Sequence, residues 1–347
     1  WMNPYRAVFN IYHSSIAPNH ITRIHPEWFL TYGDKRYFDP GNKQAQEYVA
    51  NVVKDVVKRY KVDAIHFDDY FYPYPLPGKV FPDFASYMKY GNGMSRDDWR
   101  RSNVDSIILK LHNVIKQENK DCQFGISPFG VWRNADKDPN GSNTKAGPTN
   151  YDFLYADILL WLKNSWIDYV APQIYWEIGH KAADYEVLVD WWSKNTFGKN
   201  CYIGLGMYKA GSNKAWKEKS QLPRQIQKIR NTPNIHGMAF FSQNLLIAVF
   251  DRKFDRKVPV RIAGRKFVSR PGICQREGHR DLVARLGPGG IDLHVDRRRT
   301  LHHVGIMASS PEMPAPSPDG AVLRHRAIHL RHVAALADEA PLLHEVF

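Results

Sequence analysis

In the stretch VDAIHFDDYFYPYP, residues 62–75, a short apolar run ends in two adjacent carboxylates, Asp68 and Asp69, followed at once by Tyr70, Phe71, Tyr72 and Tyr74. Paired carboxylates suit hydrolysis of a glycosidic bond, where one carboxyl group protonates the leaving oxygen and another acts as nucleophile or activates water. Flat ring faces beside them suit the apolar faces of sugars. A lone Asp after a strand most often caps the next helix or turn. Two carboxylates with an aromatic cluster point instead to a site. Val62, Ala64, Ile65 and Phe67 read as a strand of a buried parallel sheet. Its alternation sets Ala64, His66 and Asp68 on one side, with Asp69 turned away or on the following loop. Asp68 is therefore the expected primary carboxylate or nucleophile.

A second carboxylate should come from another strand end. Glu177 closes IDYVAPQIYWE, two residues beyond Tyr175 and beside Trp176. That apolar setting is expected to raise its pKa and keep it protonated as the acid, although a loop Glu on the surface is the plainer reading. Asp136 and Asp138, in a loop rich in Asn, Gly and Pro that reads as mobile, are weaker alternatives. Tyr5, Tyr70, Tyr72, Trp132, Tyr175 and Trp176 are candidate sugar platforms, each with core packing as the competing role. Asn3, Arg6, His66, Arg133, Gln173 and His180 are candidate hydrogen-bonding partners for hydroxyl, acetamido or carboxylate groups.

The elements that must position these residues alternate regularly through residues 1–251. NVVKDVVKRYKV carries Val52, Val53, Val56, Val57 and Tyr60 at helical spacing ahead of the AIHFDD strand. RRSNVDSIILKLHNVIKQEN, opened by SRDD at 95–98 as a candidate capping box, precedes the strand FGISPFG. The predicted helix YDFLYADILLWLKN precedes IDYVAPQIYWE, YEVLVDWWSKN precedes CYIGLGMY, and RQIQKIRN precedes IHGMAFFS. Trp161, Trp166, Trp191 and Trp192 fall on or beside these helices and are expected to pack. Strands and helices in this alternation predict a parallel α/β sheet, here a TIM-like (β/α)8 barrel. WMNPYRA resembles the carboxyl end of one more strand. Six strands do not close a normal barrel, so strands three to eight are expected here, with about two βα units missing at the N terminus. Neither a Gly-rich dinucleotide turn nor a P-loop is found, and no cofactor is expected.

Residues 252–347 are a different kind of sequence. All 10 Trp, all 18 Tyr and every Asn precede them, while they hold 14 Arg and 3 Lys against 10 acidic residues. That segment thus carries +7 of the chain's formal +13. Breaker runs such as GPGG at 287–290 interrupt it, and no complete βα unit can be placed. It is read as an atypical Arg/His/Pro-rich tail, non-native or disordered, with a join to unrelated coding sequence favoured over an accessory segment or a basic arm. No aromatics interleave its RRR at 297–299, so no nucleic-acid partner is expected. Cys122, Cys201 and Cys274 have neither metal-site nor disulfide spacing, and no apolar stretch is long enough to span a membrane.

WMNPYRA, HPEW, YFDPGN, VDAIHFDDYFYPYP, DWRRSNV, FGISPFGVWRN, YADILLWLKNSWIDYVAPQIYWEIGH and GMAFFS, taken in order over residues 1–242, resemble the bacterial glycosyl-hydrolase-like family 10. DAIHFD also resembles the fourth-strand motif of several α-acting barrel glycosidases, in which a basic residue precedes the nucleophilic Asp by two. The resemblance implies a TIM-like barrel and a glycosidase acting on glycan, with peptidoglycan strands that lack peptides favoured. It also implies a cell-envelope or secreted location, often with a lipid anchor upstream. Arg6 and Arg133 would then pair with the lactyl carboxylate of muramic acid. A barrel that binds glycan without cleaving it is the competing function. The family usually has more sequence before WMNPYRA, and its pattern decays here from Gln243 to Asp251.

Overall fold

The computed structural model describes residues 1–241 together with the strand segments Val260–Ile262, Arg265–Phe267, Asp281–Gly287, Gly290–Asp296 and Ile306–Ser309. The expectation of a disordered or non-native tail falls mostly outside the described residues.

Eight strands lie within residues 1–241. β1 (Arg6–Val8), β2 (Phe29–Tyr32) and β3 (Lys35–Phe38) form a small antiparallel sheet in the order β1-β3-β2, an element that the βα reading did not foresee. β4 (Ala64–Phe67), β5 (Gln123–Ile126), β6 (Tyr169–Val170), β7 (Asn200–Gly206) and β8 (Gly237–Phe241) follow in sequence order as parallel neighbours. These are the five strands expected from the apolar runs. The opening segment adds a sixth parallel position, because Met2 bridges Phe67 and its N–H donates to the His66 carbonyl at 2.8 Å. Against the other edge, Ile306–Ser309 pairs antiparallel with β8. The architecture is thus mixed α/β around a parallel sheet.

The sheet curls, and its packing shows how. On β4 the outward Ile65 and Phe67 join the main apolar core, whereas Ala64 belongs to a separate cluster with Tyr169, Ala171 and Tyr202 of later strands. Strand alternation divides the two faces. Tyr169 of β6 reaches His66 of β4 across the intervening β5, where Gly125 presents no side chain; a Cβ there would stand 2.0 Å from the Tyr169 ring. A concave inner face follows from that contact.

The helices cover the outer face. In the helix Lys43–Arg59, Asn42 accepts the N–H groups of Gln44 and Ala45, and Ala45, Val49, Ala50, Val53 and Val57 bury one stripe. Ser95 caps the helix Arg96–Glu118, accepting the Asp98 N–H at 3.1 Å while its hydroxyl donates to the Asp98 carboxylate at 2.6 Å. One expected helix is broken. YDFLYADILLWLKN forms Asn150–Phe153 and Ile158–Lys163, separated where Tyr155 takes φ 54° and Asp157 starts a new cap. Apolar periodicity alone cannot register a left-handed residue.

Candidate active site at the carboxyl ends of the strands

β4 runs out at Phe67 and delivers Asp68 and Asp69 to the carboxyl edge of the sheet, where parallel α/β folds hold their ligands. Asp68 is half-buried and Asp69 buried, at 4% exposure. The Met2 bridge sets Asn3 beside them, so that its Nδ2 donates to Asp68 Oδ1 at 3.3 Å. Asn3 Oδ1 meanwhile accepts the N–H of Arg6 at 2.8 Å, an Asx-type turn that aims Arg6 at the pair. The Arg6 guanidinium lies over the Tyr70 ring at 4.6 Å and over Phe9 at 5.2 Å.

The two carboxylates have unequal partners. Asp69 Oδ2 accepts a hydrogen bond from the Tyr74 hydroxyl. Among the described residues, Asp68 Oδ1 receives Asn3 Nδ2 and the Tyr70 N–H, both at 3.3 Å. Burial, with the Asp69 charge second, pushes the Asp68 carboxyl up to about 7, against the opposing pull of Arg6. Asp69 is also raised by burial, which the Tyr74 bond opposes. Tyr175, which follows β6, is raised by burial and by the charge of Asp69. Its ring lies along β7 at Gly204 and Gly206, where an added Cβ would stand 3.3 Å from it at either position.

His66 forms the floor. Its Nδ1 meets the Tyr169 hydroxyl at 2.9 Å and its Nε2 the Ser127 hydroxyl at 2.8 Å. Burial, then the nearby amino terminus, lowers its pKa to about 3, so the ring is neutral. Gln173 donates to the Ser127 carbonyl at 2.8 Å, between this floor and Asp69.

Other expected site residues stand elsewhere. Tyr5 and Tyr72 are buried in the main core, and Trp132 is buried with its Nε1 donating to Asp157, so none offers a ring face to a sugar. Arg133 is committed to Asp152, at 2.8 Å, and to Asp138, at 3.3 Å. The loop that bears Asp136 and Asp138 is tied by an Asn134–Ser142 bridge and by Asn134 bonds to Ala146. Trp176 packs edge-on to Phe129, and His180 Nδ1 accepts the Ala183 N–H. Glu177 is half-buried and takes the Nε1–H of Trp216 at 3.0 Å. Its charge opposes the lowering that burial imposes on Lys209.

Tyr74, Phe9 and Trp216 were missed from sequence. Tyr74 carried a signal, five residues beyond Asp69 in the same aromatic cluster, but Trp216 reaches Glu177 across 39 residues with none. Among the described residues, no group of three or more His, Cys, Asp or Glu stands ready to hold a metal, and no helix is long and apolar enough to cross a membrane.

Comparison with known proteins bears on this arrangement. The family model described as glycosyl hydrolase-like 10 matches residues 10–221. The chain is 45% identical over 251 residues to glycosyl hydrolase YngK of Bacillus subtilis, covering 70% of this chain and 49% of that protein. It is 37% identical over 265 residues to glycosyl hydrolase DigH of Escherichia coli K12, covering 71% of this chain and 60% of the other. The chain thus spans about half the length of the first of these relatives and three-fifths of the second. Among solved structures, an α-L-fucosidase isoenzyme 2 from Paenibacillus thiaminolyticus aligns at TM-score 0.27 and 12% identity over 53% of this chain and 31% of its own.

Proposed function

The chain belongs to the glycosyl hydrolase-like 10 family, and from that premise we propose that it is a glycoside hydrolase cleaving O-glycosidic bonds of an acetamido-bearing bacterial cell-wall glycan, peptidoglycan strands first among them. In this reading it works in the cell envelope, held there by a lipid anchor supplied upstream or secreted. The observation that carries the catalytic part is the Asp68–Asp69 pair at the end of β4, with the Asp68 carboxyl held at about 7. A carboxyl group in that range can give a proton to a leaving oxygen at neutral pH and take one back from water. Asp68 is therefore assigned the acid/base role. This exchanges the roles expected from spacing, where Asp68 attacked and Glu177 supplied the proton. Asp69 and Glu177 are then the candidates for the second carboxylate. Arg6, Tyr70 and Tyr175 supply the sugar-binding surface around them.

The test is reducing-end release from peptide-free peptidoglycan strands by the purified chain. Asp68→Asn is expected to lower turnover on the order of a thousandfold while glycan binding persists, the mark of a lost chemical role. Binding by the wild-type chain without any release of reducing ends would overturn the reading in favour of a glycan-binding barrel.

A further inference from the structure

Two adjacent carboxylates at one strand end approach a bound sugar from the same strand, whereas a double displacement needs its two carboxylates on opposite sides of the scissile bond. In this pair the donors are divided unequally. Asp69 is buried and held through Oδ2 by Tyr74, whose ring is fixed edge-on to Tyr70 and Phe129, each at 6.0 Å. Asp68 is the more exposed of the two, and its contacts to Asn3 and Tyr70 are long, both at 3.3 Å. A carboxyl group oriented in this way beside Asp68 is placed to accept an N–H group of the substrate rather than to attack carbon. Glu177 is engaged separately by Trp216.

Resting on the glycosidase reading above, we propose that Asp69, oriented by Tyr74, binds the N–H of the substrate's 2-acetamido group, so that the acetamide oxygen itself is the nucleophile. In the first step the acetamide oxygen forms a bond to C1 as the bond from C1 to the leaving oxygen breaks, and Asp68 gives its proton to that oxygen. The resulting bicyclic oxazolinium is positively charged at nitrogen, and the Asp69 carboxylate faces that charge. In the second step water attacks C1, its proton passes to the Asp68 carboxylate, and the C1–O bond to the acetamide breaks. The acetamide is restored and the anomeric configuration is retained. Substrates without a 2-acetamido group are excluded by chemistry, not by fit.

The experiment uses the whole chain with aryl 2-acetamido-2-deoxy-glycosides whose acetyl group carries zero to three fluorines. Fluorine withdraws electrons from the attacking oxygen, so kcat/KM is expected to fall on the order of a hundredfold across the series, about 3 kcal/mol. A flat series overturns the proposal, as does mass-spectrometric trapping of a glycosyl ester on Asp69 or Glu177 by a 2-deoxy-2-fluoro glycoside. A second measurement needs no turnover. A thiazoline analogue of the bicyclic intermediate should bind the wild-type chain, and Asp69→Asn should weaken it on the order of a hundredfold and Tyr74→Phe about tenfold, since charge-assisted hydrogen bonds of this kind are the strong ones. Unchanged thiazoline affinity in both variants also overturns it. Thiazoline binding that depends on Asp69, in a chain that hydrolyses nothing, would sink the glycosidase reading while leaving the acetamido site standing.

Discussion

Nδ1 of His66 lies 2.9 Å from the Tyr169 hydroxyl, although 103 residues separate the two. The contact is made across Gly125 and ties β4 to β6 on the inner face of the sheet.

That buried, neutral His66 should shape stability in acid. Its pKa falls from 6.5 to about 3 on folding, so the unfolded chain binds the proton first. The stability it supports is fully present above about 6.5 and is lost as pH falls from there toward about 3, with a slope approaching 1.4 kcal/mol per pH unit. His66→Gln should flatten the urea-midpoint profile over that window, whatever its stability at neutral pH. An unchanged slope would count against the assignment.

Gly125→Ala puts a Cβ 2.0 Å from the Tyr169 ring and should destabilise the chain by about 2 kcal/mol or more. In a Tyr169→Ala background the same change should cost less than about 1 kcal/mol, because the clashing ring is gone. Equal costs in the two backgrounds, measured by urea unfolding, would show that the glycine serves some other purpose.

Asp105 carries the opposite sign from His66. It accepts the Trp161 Nε1–H at 2.6 Å, and burial, opposed by that bond and aided by Asp157, raises its carboxyl to about 6. The folded chain binds this proton more tightly, so the stability contributed is full below about 4 and declines as pH rises to about 6. Asp105→Asn keeps an acceptor for Trp161 without the buried charge. It should stabilise the chain by about 1 kcal/mol at pH 7, discounted for partial exposure, and by nothing at pH 3.5.

Asp83 is fully buried between Arg96, at 2.5 Å, and Arg100, at 2.7 Å. Asp83→Asn leaves the buried Arg100 cation unpaired and should cost about 3–5 kcal/mol. A loss below about 1 kcal/mol in urea unfolding would mean that Tyr72 and Tyr155, whose rings lie 5.4 and 4.9 Å from the guanidinium, suffice to hold it.

If Asp68 is the proton donor, kcat/KM should be maintained below about 7 and fall tenfold per pH unit above it, since only the protonated form acts. Asp69→Asn removes the charge that helps raise Asp68, so the limb should move to lower pH in whatever activity remains. A limb that stays in place would separate the two groups electrostatically.

The parallel strands, the helices beside them and the carboxylate pair were legible in the chain because each depends on local order. Apolar runs of strand length, stripes at helical spacing and a polar ending require no knowledge of distant residues. The broken helix at Tyr155 was not legible, since a single positive φ leaves the apolar pattern intact. Nor were the roles of the strand-end aromatics. Tyr5, Tyr72 and Trp132 are flat aromatic side chains like Tyr70 and Tyr175, and only the packing of neighbouring helices and loops decided which rings were covered.

Sequence alone, then, determined the βα alternation, the family and the arrival of Asp68 and Asp69 at the end of a buried strand, all set by periodicity and adjacency. Partnership was decided only by the tertiary structure. Arg133 is occupied by Asp152, Glu177 by Trp216 and His66 by Tyr169, across separations of 19, 39 and 103 residues. The curl of the sheet over Gly125 and the burial of two neighbouring aspartates raise both carboxyl groups, and Tyr74 opposes the rise at Asp69, because desolvation and hydrogen bonding act through space and leave no trace in the order of residues.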